Sequence, residues 1–407
     1  YNGTDFTKHG VASPSSSGMT GSVVASGGTF PSAIYYYKVT NVNSAAAEGD
    51  VSTASTAFSV AISGSVSLTG IPVAPQSHGV SSRRIYRASG AAGSFERIAT
   101  IANNTATAFS DTYYPATTAA PTDNGGPPVY SVICQHQNRV FCNDTANPNY
   151  IWYSDLYEPY TFGATNFFPI GDASFDLVKG IDVYNNQVAV TCERGTYLIL
   201  MPTASDADWS VIKTKSPYGS RSPFGMFQYN NKLMIPSMQS DKFVGFAALQ
   251  GSTIDPDATV LDTSIAGSEL KSERVEDQMF NVQEAYVRNI SAMVFKNKAY
   301  IATTYGDNQT TNNRIFICDF SISDLAKNQE ISWTPVTGLN AAQFCVYAGL
   351  LYYVTSTATG FVYKLEPAAT YSDDGTAITS YFWTKEFSGQ KGHENLQKDF
   401  RSINVLF

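Results

Sequence analysis

Short runs in which apolar and polar residues alternate cover most of the chain, and turn-forming pairs separate them. The pattern is sharpest in five hairpin-like segments, each an aromatic residue or His, a turn pair, then an apolar run. They read His136-Gln137-Asn138-Arg139-Val140-Phe141, Tyr184-Asn185-Asn186-Gln187-Val188-Ala189, Tyr229-Asn230-Asn231-Lys232-Leu233-Met234, Phe295-Lys296-Asn297-Lys298-Ala299-Tyr300 and Tyr347-Ala348-Gly349-Leu350-Leu351-Tyr352. With Asn138, Asn186, Asn231, Asn297 and Gly349 as equivalents, the intervals are 48, 45, 66 and 52 residues. Asn suits such corners because it tolerates the positive φ of tight hairpins. A third strand follows each pair, at 150–153, 196–200, 243–246, 314–318 and 361–365, and fourth strands are visible at 210–214, 331–335 and 378–387. A period of ~40–50 residues filled with strands predicts a β-propeller of about five blades over residues 128–407. The long interval implies an insertion near 251–285, where Glu and Lys/Arg at helical spacing predict one short helix over Ser268–Phe280. Lys398–Phe407 is expected to pair with the first blade and close the ring.

Upstream of the repeats the pattern changes. Residues 1–27 are rich in Ser, Gly and Thr without periodicity and read as an arm or linker. Residues 28–127 read as a small β-sandwich, with strands at Ala33–Asn41, Ala57–Leu68, Ser82–Arg87, Phe95–Ile101 and Thr107–Asp111. Arg83, Arg84 and Arg87 are expected to lay their stems over apolar surface on an edge strand. Pro121, Gly125, Gly126, Pro127 and Pro128 mark the boundary between this sandwich and the repeats.

Composition sharpens that division. Residues 1–127 hold six basic and six acidic side chains, so the net charge of −8 belongs wholly to residues 128–407, as do all five Cys and all four Trp. Charged residues make up 15% of the chain, while Tyr and Phe number 25 and 24. Few charges and many aromatics suit stiff all-β assemblies and argue against disorder. No basic stripe marks a nucleic-acid face. No apolar run approaches the ~18 residues of a membrane-spanning helix. The chain opens at Tyr1 without a Met and closes on a strand-like Ser402–Phe407, as expected of a processed or partly represented product.

Candidate chemistry is sparse. Asp176, Asp182 and Glu193 stand near blade starts, but nothing in the spacing pairs them as a glycosidase requires. Ser372-Asp373-Asp374-Gly375-Thr376 reads as a polar turn, and Asp255-Pro256-Asp257 lacks the further oxygens of a calcium loop. The four His are scattered, and His136 occupies a position that is aromatic in the other repeats, which favours packing. Cys134 and Cys142 flank the Asn138 corner and could face one another; the preferred reading makes all five Cys small buried hydrophobes. These readings predict no enzyme activity, no metal and no cofactor. Tyr153, Tyr157, Tyr160 and Phe162 form a candidate aromatic contact cluster, either stacking on sugars or sealing the joint between blades.

Two resemblances add to this. Ser82–Arg87, Phe95–Ile101 and Thr107–Thr112 resemble the last three strands of the fibronectin type III or immunoglobulin-like modules found in tailed-phage structural proteins. Asn138–Phe141, Asp144–Asn149, Ile151–Asp155, Glu158-Pro159 and Phe162 resemble the first propeller blade of structural tail proteins of tailed bacteriophages and prophages. Val178–Ile181, Glu193–Tyr197, Trp383–Phe387 and Lys398–Arg401 are similar to later parts of the same family. The resemblance implies a virion tail component: a nozzle, hub or adaptor ring, six-fold symmetric, around the DNA-ejection channel. It implies assembly in the bacterial host cytoplasm, contact with other tail proteins, and viral DNA passing without specific binding. A bore with its acidic groups facing inward would let DNA slide. The alternative is a carbohydrate-recognising receptor-binding or depolymerising tail protein.

Overall fold

The computed structural model describes residues 7–15, 18–172, 174, 176–214, 216–229, 232–239, 241–249, 269–270, 276–320, 332–356, 361–365, 372–373 and 376–377. Seven strands come first: β1 (Thr20–Val24), β2 (Ala33–Asn43), β3 (Phe58–Val60), β4 (Ser65–Thr69), β5 (Val80–Ser89), β6 (Glu96–Ile101) and β7 (Phe109–Asp111). They form a three-stranded sheet in the order β1-β4-β7 and a four-stranded sheet in the order β3-β2-β5-β6. Tyr37, Val39, Val66, Leu68, Ile85 and Ile98 fill the core between them. This is the two-layer sandwich of the immunoglobulin-like class, with its own strand order.

Among the described residues, five more sheets of three or four strands follow in sequence. Blade 1 holds β8 (Ile133–His136), β9 (Arg139–Asn143), β10 (Tyr150–Tyr153) and β11 (Phe167–Pro169). Blade 2 holds β12 (Val178–Tyr184), β13 (Gln187–Cys192), β14 (Thr196–Leu200) and β15 (Ser210–Lys213). Blade 3 holds β16 (Phe227–Tyr229), β17 (Lys232–Gln239), β18 (Lys242–Leu249) and β19 (Glu269–Leu270). Blade 4 holds β20 (Ser291–Phe295), β21 (Lys298–Thr303), β22 (Arg314–Asp319) and β23 (Ser332–Thr337), and blade 5 shows β24 (Ala341–Tyr347), β25 (Leu350–Thr355) and β26 (Val362–Leu365). Each sheet is an up-and-down meander in chain order. That is the construction of propeller blades.

The corners behave as their residues require. Gln137 and Asn138, Asn185 and Asn186, Lys296 and Asn297, and Ala348 and Gly349 all have positive φ, between 45° and 73°. Two such residues in succession make the mirror-image turn that matches strand twist. The corner at Asn230–Asn231 lies outside the described residues.

Alternation then packs blades 2, 3 and 4 each against two neighbours. On β17, Leu233 and Ile235 join the core shared with blade 2, while Met234 and Met238 join the core shared with blade 4. On β21, Ala299 and Ile301 face blade 3, and Tyr300 and Ala302 face blade 5. Strands buried on both sides read as nearly unbroken apolar runs, and each fully buried large side chain stabilises by ~1.5–3 kcal/mol. The strands proposed for residues 378–387 and 398–407 lie outside the described residues.

Several expectations are corrected. The stretch read as an arm includes β1, paired with β4 from Thr20↔Thr69 to Val24↔Ser65, and both Val11 and Met19 are buried. Its Ser/Gly/Thr composition carries no strand signal; the neighbouring edge supplies the pairing. The single strand expected over Ala57–Leu68 is two, β3 and β4, in opposite sheets, with Ser63 at φ 61° turning the corner. Within the helix expected over Ser268–Phe280, Glu276–Met279 is helical, whereas Glu269 and Leu270 pair with β18 as a short strand.

The arginines of β5 are also corrected, since β5 is an interior strand and two guanidinium heads are buried. Arg83 donates to the carbonyls of Pro72 (2.6 Å) and Ala106 (2.5 Å). Arg87 pairs with Asp111 at 2.8 Å, and Tyr37 donates to the same carboxylate at 2.9 Å. Arg84, on the opposite face, pairs with Glu48.

Candidate functional site

The stretch carrying the phage-tail resemblance is a self-contained polar scaffold. Asp144 accepts from the amide of Ala146 (2.8 Å), the side chain of Asn147 (2.8 Å) and the Trp152 indole (3.3 Å). Burial pushes its carboxyl up, but these donors outweigh that and hold it below its ordinary value. Ser154 closes the other end of β10: its hydroxyl accepts from Val140 N at 3.0 Å, and its carbonyl accepts from Arg139 Nη1 at 2.7 Å. The Tyr157 amide donates to the Asn138 carbonyl at 3.0 Å, so the Glu158-Pro159 corner folds back onto the hairpin turn.

That corner holds the N-terminal segment. His9 donates from Nε2 to the Pro159 carbonyl (2.8 Å), which leaves Nδ1 to accept from the Tyr130 hydroxyl at 3.2 Å. Its ring also meets Tyr160 and Phe162 edge-on at 5.8 and 5.9 Å. Burial pushes the His9 pKa down, and the Pro159 contact offsets this in part. Nearby, Asn124 ties the connecting segment to the sandwich, its amide donating to Asp50 at 2.7 Å and its side chain to the Glu48 carbonyl at 2.9 Å.

The four residues of the aromatic cluster are therefore not one surface. Tyr153 is buried in the core between blades 1 and 2 with Phe141 and Trp209. Phe162 is buried, Tyr160 is half-buried beside it, and Tyr157 stands 71% exposed. Sealing a joint describes Tyr160 and Phe162, and blade packing describes Tyr153. Arg139 is the residue that the sequence reading passed over. Its guanidinium lies over Trp209 and Tyr153 at 5.3 and 5.5 Å and reaches Asp206 at 3.8 Å, linking the first two blades.

The carboxylates near the blade starts each have separate partners. Asp176 is buried and accepts from the Arg194 amide (2.8 Å) and the Tyr197 hydroxyl (3.0 Å). Glu193 pairs with Lys179 at 3.0 Å. Asp182 is pushed up to about 6 by burial, against hydrogen bonds from the Val183 amide and the Gln228 side chain. Among the described residues no three His, Cys, Asp or Glu side chains gather as a metal set. Cys134 lies opposite Phe141 and Cys142 opposite Ile133, so the two thiols are not paired, and all five Cys are free. Burial pushes the Cys134 and Cys142 thiols up to about 12, whereas Cys345 is exposed, unlike the buried role expected for all five.

The first strands of successive blades lie side by side, β12 against β8, β16 against β20 and β20 against β24. Gln228 bridges two of them by donating to the Val183 carbonyl. The only charged residues on these strands are Lys179 and Asp182; Gln135, Gln228 and Gln343 are exposed among apolar neighbours. An acidic lining is therefore not what the first strands present. Within the polar turn read at 372–376, β27 (Ser372–Asp373) pairs with β28 (Thr376–Ala377), and Asp374 and Gly375 lie outside the described residues.

The strand order and blade-on-blade packing define an all-β protein: a sandwich followed by five propeller-type sheets. No family model matches the chain, and no curated protein matches it. Among solved structures, it is similar to the dihydro-heme d1 dehydrogenase NirN in complex with DHE, at 10% identity and TM-score 0.34, covering 78% of this chain and 58% of that one. It is similar to Kluyveromyces lactis Hsv2 at 11% identity and TM-score 0.29, covering 67% and 64%. For apo AztD from Citrobacter koseri the identity is 13% and the TM-score 0.29, covering 79% and 77%. The chain spans less than two thirds of the length of the first two. Likenesses this loose do not bear on function, and the blades are recognised by their own hydrogen bonds and cores.

Proposed function

We propose that this chain is a structural subunit of a bacteriophage virion tail, a member of a homo-oligomeric ring around the DNA-ejection channel. The observation that carries the reading is the use made of the resembling motif. Asp144, Ser154, Arg139 and the Glu158-Pro159 corner are all engaged in building blade 1 and in clasping His9. Polar groups committed to rigidity suit the wall of a stiff ring. First strands lined by amides and apolar groups offer passing phosphates few cations to hold them. This reading is preferred to the carbohydrate-binding alternative because the four aromatic residues of the candidate cluster face different surroundings.

Native mass measurement of the purified chain tests the proposal. A ring of six copies, each 44.0 kDa, is expected. A trimer, or a monomer that tail proteins do not recruit, would overturn it.

A further inference from the structure

The leading ends of the first strands in blades 1, 2 and 4, together with the segment running into blade 3, line an open cavity of about 480 Å³. Lys179, Arg221 and Arg288 line it from three separate elements, with Glu193 as the carboxylate on its wall. Lys179 is paired with Glu193 at 3.0 Å and Arg221 with Asp241 at 2.5 Å. Arg288, on the turn Glu284–Asn289 that leads into β20, is exposed and makes no ion pair among the described residues; its guanidinium lies 5.9 Å from the Tyr286 ring centroid. The cavity thus carries a net positive charge in a chain whose net charge is −8. Pro148, Val178 and Pro223 supply apolar walls beside these cations.

The geometry points to a binding site for an oxyanion, either free or carried as the phosphate of a small organic monoester. Two guanidinium groups and an ammonium match a tetrahedral oxyanion, because the guanidinium fork donates in parallel to two oxygens. Both existing ion pairs are partly exposed and therefore weak, and an incoming anion competes with them readily. The volume exceeds that of a bare ion and falls in the usual range for small-molecule pockets. Rigidity of the frame comes from the segment before β16: Gly219 packs so closely on the Glu193 carbonyl that a Cβ there would lie 2.2 Å from it, and the Ser222 hydroxyl donates to the Ile290 carbonyl at 2.8 Å. The site belongs to the single chain whether or not copies form a ring.

Calorimetric titration of the full chain with inorganic phosphate and with phenyl phosphate, at constant ionic strength, tests this. Saturable one-to-one binding is expected at millimolar concentration or below. Tighter binding of phenyl phosphate assigns the site to an organic monoester; equal affinities assign it to the free anion. Arg288→Gln is expected to weaken binding about tenfold. Glu193→Gln is expected to strengthen it, because Lys179 loses its competitor, an outcome that a misfolded variant does not produce. Lys298→Gln, which removes a cation paired with Asp319 on blade 4, leaves affinity unchanged. No saturable heat with either probe, or binding indifferent to Arg288→Gln, overturns the inference.

Discussion

At the residue scale, stability concentrates in polar groups that the sandwich and the first blades bury. Arg87 and Asp111 have side chains only 7% and 0% exposed, and Tyr37 joins them through its phenol, whose pKa is pushed up by burial and then by Asp111. Removing one partner of such a pair strands the other charge. Arg87→Met is therefore expected to cost about 3–5 kcal/mol in urea unfolding, and adding Asp111→Asn is expected to recover part of it. A loss under 1 kcal/mol would contradict that reading. Asp182 supplies a test of opposite sign. Its folded pKa, about 6, lies above the ordinary 3.8, so the folded state binds more protons between those values and stability falls as pH rises through them. Asp182→Asn is expected to stabilise by on the order of 1 kcal/mol at pH 7 and to be neutral near pH 4. Equal effects at both pH values would remove the case for a desolvated carboxylate.

At the element scale, the hairpin corners were legible because turn chemistry is local. Asn and Gly declare positive φ from sequence alone, and four described corners adopt it. Gln137, Lys296 and Ala348 depart from those residue types, and Ala348 is held at φ 49° beside Gly349. The left-handed region costs an L-residue ~1–2 kcal/mol. Ala348→Asn, which creates the favoured Asn-Gly pair, is expected to raise stability by about 0.5–1 kcal/mol in thermal or urea unfolding. No gain, or a loss, would show that the corner is fixed by something beyond its backbone. Short edge strands were not legible. β11 and β19 hold three and two residues, too few for any alternation, and exist because β10 and β18 offer unpaired edges. β1 escaped notice for the same reason, since Thr20–Val24 becomes a strand only beside Ser65–Thr69.

At the scale of the whole molecule, the sandwich and blade 1 meet around His9. The imidazole is neutral there, with one nitrogen donating to Pro159 and the other accepting from Tyr130. Its folded pKa is lowered from 6.5, so the unfolded chain binds the extra proton first and stability drops as pH falls below about 6.5. The joint is expected to become more susceptible to proteolysis at pH 5 than at pH 8, and His9→Gln to flatten that difference. A cleavage rate independent of pH in the wild-type chain would sink this account. The aromatic cluster illustrates the limit of linear reading at this scale. Tyr153, Tyr157, Tyr160 and Phe162 are close in sequence, yet one enters the blade core, two meet a ring from position 9, and one faces solvent.

The chain's own pattern determined the repeat, the hairpin corners, the third strands and the all-β class. Each of these is written in contacts a few residues apart or in alternation along a single strand. Tertiary structure alone decided which arginines lose their water, which edge strands exist, and that three cations from distant segments share one cavity. Those outcomes depend on which surfaces meet after the sheets have formed, and residues such as Lys179, Arg221 and Arg288 carry no mark of that meeting in their spacing.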